Sequence, residues 1–501
     1  MATFPAFDAF EAAYREGVPQ LVWRRSVSDL ETPVSAYLKL CRERSNSFLL
    51  ESVEGGEQLG RFSVIGLRPD LIWRAFGDRS EINPNAAHDP DTFQSQAGAP
   101  LDRLKELLAQ SEIAPPDGAP PMAAGVFGYF GYDMARQMER LGERPPAGVA
   151  TPDAIFIRPT LVAIFDNIKQ EISLFTPVRP DPEVSPRAAY ARASELLNDA
   201  IDDLQSPLRL RTSVETIPEG CPKNSNTSKD EFFAMVDRAK DYIRAGDIFQ
   251  VVLSQRFSQD FAAPPFELYR ALRRSNPSPF LFFLNFDDFS LVGSSPEILV
   301  RVRDGDVSIR PIAGTRPRGE NADEDKALAE ELLADEKERA EHLMLLDLGR
   351  NDVGRSSKIG SVRVTEQFVI ERYSHVMHIV SNVVGALRDD IHPVDAVAAG
   401  FPAGTVSGAP KIRAMEIIDE LEKDGRGVYG GAIGYFSSDG DVDTCIALRT
   451  AVVKDGVMHV QAGAGIVADS HPESEQAECE NKAQALFSAA RAALAQSGNR
   501  Q

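Results

Sequence analysis

Phe232, Val236, Ala239 and Ile243 recur at the spacing of one helix face, behind Ser228 and Glu231 placed three apart as a capping box and ahead of Gly246. A helix over residues 228–246 is therefore predicted. A second amphipathic stretch, residues 411–422, follows Pro410, a residue suited to a first helical turn, and an Ala-rich stretch over 481–496 predicts a terminal helix. Short β-like runs occupy 61–65, 160–165, 249–253, 280–286, 433–436 and 458–462. Residues 114–124, rich in Pro, Ala and Gly, read as a loop. Helices and strands mix along the chain, so the expected class is α+β with many non-local pairings. Residues 205–227 break the pattern with Ser206, Pro207, Pro218, Gly220, Pro222 and a polar run, and divide the chain into expected parts 1–227 and 228–501.

Length and charge narrow the picture. The chain has 501 residues, 75 acidic and 54 basic side chains and a net charge of -21. Such an excess repels phosphate backbones and anionic lipid surfaces, so neither nucleic acid nor a membrane is expected as a partner. The acidity is diffuse: residues 1–227 hold 32 acidic and 23 basic side chains, and the remainder 43 and 31. That pattern belongs to a soluble surface rather than to one acidic segment. The first 20 residues carry Asp8, Glu11 and Glu16 without a basic cluster before an apolar run, which is unlike a secretory signal. Cys41, Cys221, Cys445 and Cys479 lie far apart and form no C-x-x-C pair, so a reducing, cytoplasmic setting is expected.

Two glycine-rich segments imitate nucleotide-binding motifs and fail on context. Gly463-Ala464-Gly465-Ile466-Val467-Ala468 matches G-x-G-x-x-A, but Asp469, Ser470 and Pro472 follow where a helix should open. Gly404 to Lys411 has the wrong glycine spacing for a phosphate-binding loop and no Ser or Thr after the lysine. No cysteine sits in a G-x-C-x-G elbow, so the chain has no nucleophile for glutaminase chemistry of its own.

The stronger chemical signal is in carboxylates. Glu338 and Glu341, and again Glu475 and Glu478, stand three apart on expected helices, which places each pair on one face, with Lys482 four beyond Glu478. Glu341 runs into His342-Leu343-Met344-Leu345-Leu346, a buried-looking stretch. Hard oxygen donors of this kind suit Mg²⁺, which takes one or two carboxylates together with waters or substrate oxygens. Gly463-Ala464-Gly465, read as a loop, offers backbone N–H groups to an anion, and Arg449 offers a bidentate contact to a carboxylate.

Six stretches carry a closer likeness: Gly246 to Arg256, Ser295-Pro296-Glu297, Pro311 to Arg316, Glu341 to Asp352, Ser407 to Lys411, and Gln461 to Lys482. Together they resemble the chorismate-utilising enzymes, and within them the branch that forms anthranilate, over nearly the whole chain. The resemblance implies an α/β sandwich of two orthogonal antiparallel sheets with flanking helices, built from two intertwined domains. It implies Mg²⁺ on Glu341 and Glu478, with Glu338 and Glu475 orienting its waters, and Glu297 as the general acid for the departing hydroxyl. Gly314, Thr315, Tyr429, Arg449 and Gly463, Ala464 and Gly465 match positions that hold the carboxylates of chorismate, with Lys482 nearby. His378 matches a histidine associated with pyruvate loss. Gln250 stands where water-using relatives carry a lysine base, which favours ammonia as nucleophile, and Ala313 stands where aminodeoxychorismate synthases commonly carry a lysine. Some of those enzymes lack it, so aminodeoxychorismate formation is the alternative activity, and a catalytically silent tryptophan-binding regulator the alternative class. Ammonia is expected from a separate glutamine amidotransferase subunit. Leu49-Leu50-Glu51-Ser52 and Asn276 to Leu281 match the elements that bind L-tryptophan as inhibitor, which marks Glu51, Ser52, Pro279, Phe280 and Leu281.

Overall fold

The computed structural model describes all residues except 1, 43, 55–57, 209–222, 374–375 and 499–501. Most of the expected linker, and Cys221 with it, lies outside the described residues.

Among the described residues the strand pairs are antiparallel, and they join into one continuous network of 22 strands. Two long strands explain how one network makes two facing layers. Gln58–Phe76 pairs with Ala154–Asp166 from Phe62 to Ala75, but the register shifts between Pro69 and Leu71, and Arg68 takes φ 53°. Thr160 holds the bend by donating its hydroxyl to the Arg68 carbonyl at 2.6 Å. On one side of the bend the network continues through Ser47–Glu54, Phe280–Asn285, Phe289–Ser295, Thr450–Lys454 and Val457–Ile466 to Gln250–Asp260. On the other it continues through Gly125–Phe130, Ala432–Ser437, Val442–Ile446, Ile298–Arg303 and Asp306–Ile309 to Val376–Ala386. Strands that turn a corner by a bulge or bend are the usual means of crossing between packed sheets.

The period of two along each strand decides which side chains fill which layer. Phe282 and Leu284 join Phe127, Tyr129, Ile433 and Tyr435 in the core between the sheets, while their neighbours Leu281 and Phe283 face the helices. One outer face is covered by Lys229–Ala245, Pro265–Ser275 and Pro472–Gly498, the other by Pro100–Ala109 and Pro393–Gly400. The class is thus the expected α+β. Phe280–Asn285 pairs with Ser47–Glu54, and Ala432–Ser437 with Gly125–Phe130, so strands from both sides of residue 227 share one sheet network.

Local expectations fare unevenly. Ser228 and Glu231 form the capping box, and Gly246 ends that helix at φ 85°. Phe249 stays outside its strand, which begins at Gln250, and its side chain is exposed. The terminal helix starts at Pro472, well before residue 481, so Glu475, Glu478 and Lys482 ride on one continuous helix. Gly463-Ala464-Gly465 is not a loop: it lies in Val457–Ile466, paired with Leu253 and its neighbours. Close approach, rather than unusual dihedrals, is what the glycines provide there. A Cβ on Gly463 would meet the Leu253 carbonyl and the Tyr429 hydroxyl at 2.8 Å, and one on Gly465 the Gln250 amide at 2.5 Å.

Candidate functional site

A cavity of about 1090 Å³ opens where the ends of both sheets meet the helices Glu336–Ser356 and Pro472–Gly498. Gln250, Gly314, Thr315, Glu338, Glu341, His378, Arg449, Gly465, Glu475, Glu478 and Lys482 line it. Glu297, Tyr429, Gly463 and Ala464 do not; they are packed behind the wall, and Glu297 is only 5% exposed.

The acidic side of the cavity is held from outside. Asp335 caps the first of the two helices by accepting from the backbone N–H groups of Lys337 and Glu338. Arg316 reaches Glu331 at 3.0 Å, Asp335 at 2.8 Å and Glu338 at 3.1 Å, which ties that helix to the strand Ile312–Pro317. His342, fully buried, lies 2.6 Å from the Ser381 hydroxyl, so the helix is turned with Glu338 and Glu341 toward the cavity. Burial raises the Glu341 carboxyl above its ordinary value, and repulsion from Glu338 and Glu478 adds to the shift. Glu475 is raised in the same way, by burial first. Lys482 answers part of this charge, 2.7 Å from Glu478 and 3.0 Å from the Gly463 carbonyl it donates to. Among the described residues no group of three or more His, Cys, Asp or Glu side chains closes on one point. Mg²⁺ needs no such group, since one or two carboxylates with waters and substrate oxygens complete its shell. Hard oxygens that repel one another across an open cavity are a donor set that fits this ion.

Another part of the lining suits an anion. Arg449, at φ 46° between two strands, donates to the Ser278 hydroxyl at 3.4 Å, and no carboxylate among the described residues pairs with it. Burial lowers its pKa, as expected for a guanidinium drawn away from water without an acidic partner. Nearby, the Gln250 side-chain carbonyl is buried without a donor among the described residues.

Two groups are set up for proton transfer. Burial pushes the Glu297 carboxyl up to about 8, against the opposing pull of the Thr405 hydroxyl, which donates to it at 2.9 Å, and of the Ile312 N–H. It therefore holds a proton at neutral pH, and Thr405 connects it to the cavity that Thr405 itself lines. His378 is lowered by burial, so its ring is neutral. Its Nδ1 lies 3.0 Å from the Gly314 carbonyl, which only accepts; the proton therefore sits on Nδ1 and the Nε2 lone pair is free to accept.

A second cavity of about 770 Å³ shares Pro279, Pro296, Ile312 and Tyr373 with the first. Ser52, Phe280 and Leu281 line it, together with Arg301, Tyr435 and Asp443. Glu51 contributes to its wall, but its carboxylate is fully buried on the other side, bonded to the Tyr269 hydroxyl and to Arg273 at 2.7 and 3.0 Å.

Thr405, Arg316, Ser278 and the buried pair Arg426–Glu422 were not singled out from sequence. Arg426, a charge between Gly425 and Gly427 and just ahead of Val428 and Tyr429, leaves a local signal; the others leave none.

The profile of the chorismate binding enzymes matches residues 57–488. A relative from Cereibacter sphaeroides, "Anthranilate synthase component 1", is 54% identical over 97% of this chain and 97% of its own. The protein of the same name from Pseudomonas aeruginosa is 49% identical over 93% and 94%. The crystal structure of anthranilate synthase component I from Streptococcus pneumoniae TIGR4 superposes with a TM-score of 0.75 at 39% identity, covering 92% of this chain and 99% of that one. With the fold, the cavity and these likenesses together, the chain belongs to the chorismate binding enzyme family, in its anthranilate synthase component 1 branch.

Proposed function

We propose that the larger cavity converts chorismate and ammonia to anthranilate, pyruvate and water, with Mg²⁺ as cofactor. Held by Glu341 and Glu478, Mg²⁺ would supply a Lewis acid for the substrate's ring carboxylate and neutralise charge as the C4 hydroxyl leaves. Glu338 and Glu475 accept hydrogen bonds from water beside those two ligands. Arg449, with Gly314 and Thr315, takes the substrate carboxylates, while Tyr429, packed behind the wall, braces the strand at Gly463. Glu297 gives its proton to the departing hydroxyl, which leaves as water while ammonia adds at C2. The unpartnered carbonyl of Gln250 accepts an N–H of the incoming ammonia. The ammonium formed on addition returns a proton to the Glu297 carboxylate; His378 Nε2 then takes the C2 proton and delivers it to the methylene of the enolpyruvyl group, whose C–O bond to the ring breaks to release pyruvate.

The observation that carries this reading is the meeting, in one cavity, of four carboxylates from two sequence-distant helices with an arginine that has no acidic partner among the described residues. The partner is a glutamine amidotransferase subunit that delivers ammonia, as befits a chain without a nucleophile elbow, and the hetero-oligomer works in the cytoplasm. The second cavity takes L-tryptophan as feedback inhibitor, and the wall shared with the first gives it a route to the reaction. Residues 1–227 form the regulatory part and 228–501 the catalytic part, interleaved through their shared strands. The test is purified chain with chorismate and Mg²⁺, supplied either with ammonium at alkaline pH or with glutamine alone. Anthranilate fluorescence in the ammonium arm only is expected. Aminodeoxychorismate without pyruvate would overturn the assignment in favour of the related activity.

A further inference from the structure

Behind the cavity, Arg426 and Glu422 form an ion pair whose side chains are 1% and 4% exposed. The guanidinium bonds both Glu422 oxygens, at 3.0 and 2.6 Å, and then reaches two backbone carbonyls, Val406 at 2.5 Å and Val252 at 2.7 Å. Its plane also lies 4.6 Å from the Tyr132 ring centroid and 5.5 Å from that of Tyr429. Glu422 extends the network by accepting from the Ser254 N–H at 2.7 Å and its hydroxyl at 2.9 Å.

Each of these contacts stands directly beside a residue of the site. Val252 is two residues from Gln250 on the same strand. Val406 is the neighbour of Thr405, which bonds Glu297. Tyr429 packs against Gly463. We propose that Arg426 is a positioning residue for the reaction, a buried fork that holds the Gln250 strand, the Thr405 turn and the Tyr429 ring in one mutual arrangement. Removing the charge alone would leave Glu422 buried and unpaired, an ordinary cause of misfolding. The bonds to Val252 and Val406 are different: a lysine can balance Glu422 but has a single nitrogen and cannot span both carbonyls with the fixed geometry of a guanidinium. The inference rests on the reaction proposed above.

The experiment compares wild type with Arg426→Lys and with the neutral pair Arg426→Met/Glu422→Gln, measuring kcat, the KM values for chorismate and Mg²⁺, and cooperative thermal unfolding. A displacement of the order of 1 Å costs about 100-fold in rate. Both variants are therefore expected to unfold cooperatively and to lose about 100-fold in kcat, while the KM for Mg²⁺, set by carboxylates on two other helices, stays within about twofold. An Arg426→Lys enzyme with a third or more of wild-type kcat would reduce Arg426 to charge balance and overturn the proposal. If only the neutral pair is recovered folded, it decides alone, and near-normal kcat in it has the same meaning. A wild-type chain that makes no anthranilate would instead overturn the reaction assigned to the cavity, and the positioning role with it.

Discussion

Replacing Glu297 by glutamine keeps the side chain's shape and its acceptor for Thr405 while removing the proton that titrates. The folded carboxyl is raised from an ordinary 4.5 to about 8, with burial as the main cause. Between those two pH values the unfolded chain has released this proton and the folded chain has not. The stability the protonated form contributes is thus fully present below pH 4.5 and is lost as pH rises toward 8, at about 1.4 kcal/mol per pH unit. From pH 5.5 to pH 8 that amounts to roughly 3 kcal/mol, and Glu297 is buried enough that solvent screening takes little from it. Urea unfolding of wild type and Glu297→Gln at those two pH values isolates the effect, because every other titrating group is common to both. The variant is expected to gain about 3 kcal/mol on wild type over the interval and to lose about 10²- to 10⁴-fold in kcat. A stability difference that stays constant across the interval would mean that Glu297 is ionised in the folded protein and cannot act as the acid.

Further outcomes follow from the site's geometry. Glu478→Ala and Glu341→Ala should each abolish Mg²⁺-dependent turnover while leaving urea stability equal or higher, since each removes a carboxylate from a mutually repelling group; near-normal activity in either would refute its assignment to the metal. Arg449→Ala should raise the KM for chorismate by about 10- to 100-fold, as expected for a lost charge-assisted contact of roughly 1.5–3 kcal/mol, with little change in melting temperature because no acidic partner among the described residues is stranded. Gly465→Ala places a methyl 2.5 Å from the Gln250 amide, the movable end of a side chain; the expected result is a rise in the KM for ammonium at nearly unchanged stability. Glu51→Gln leaves Arg273 half-buried without its carboxylate and should cost about 3 kcal/mol in unfolding.

What the sequence shows of this protein depends on how far apart the interacting residues lie. The helix from Ser228, the pairing of Glu338 with Glu341 and of Glu475 with Glu478, and the alternation in the 280–286 run are contacts within a few residues, and periodicity reports them. The clamp of Arg316 on Glu331, Asp335 and Glu338, the bond from Thr405 to Glu297 and the reach of Arg426 to Val252 span longer separations that no local pattern encodes. The Gly463-Ala464-Gly465 segment shows the same limit from the other side. Glycines suggest a loop when only their backbone freedom is considered, but here they let a strand lie against Leu253, Tyr429 and Gln250, and that need exists only once the partners are in place. Glu51 is similar, since alternation along its strand turned its carboxylate to Arg273 and away from the neighbouring cavity.

The central claim is that this chain alone, given ammonia, carries the whole conversion. It is tested most directly by following one purified preparation with chorismate, Mg²⁺ and ammonium by fluorescence for anthranilate and by a coupled dehydrogenase for pyruvate. The account predicts that both products appear in equal amounts and that both stop when Mg²⁺ is chelated; chorismate left unchanged, or consumed without pyruvate, would contradict it.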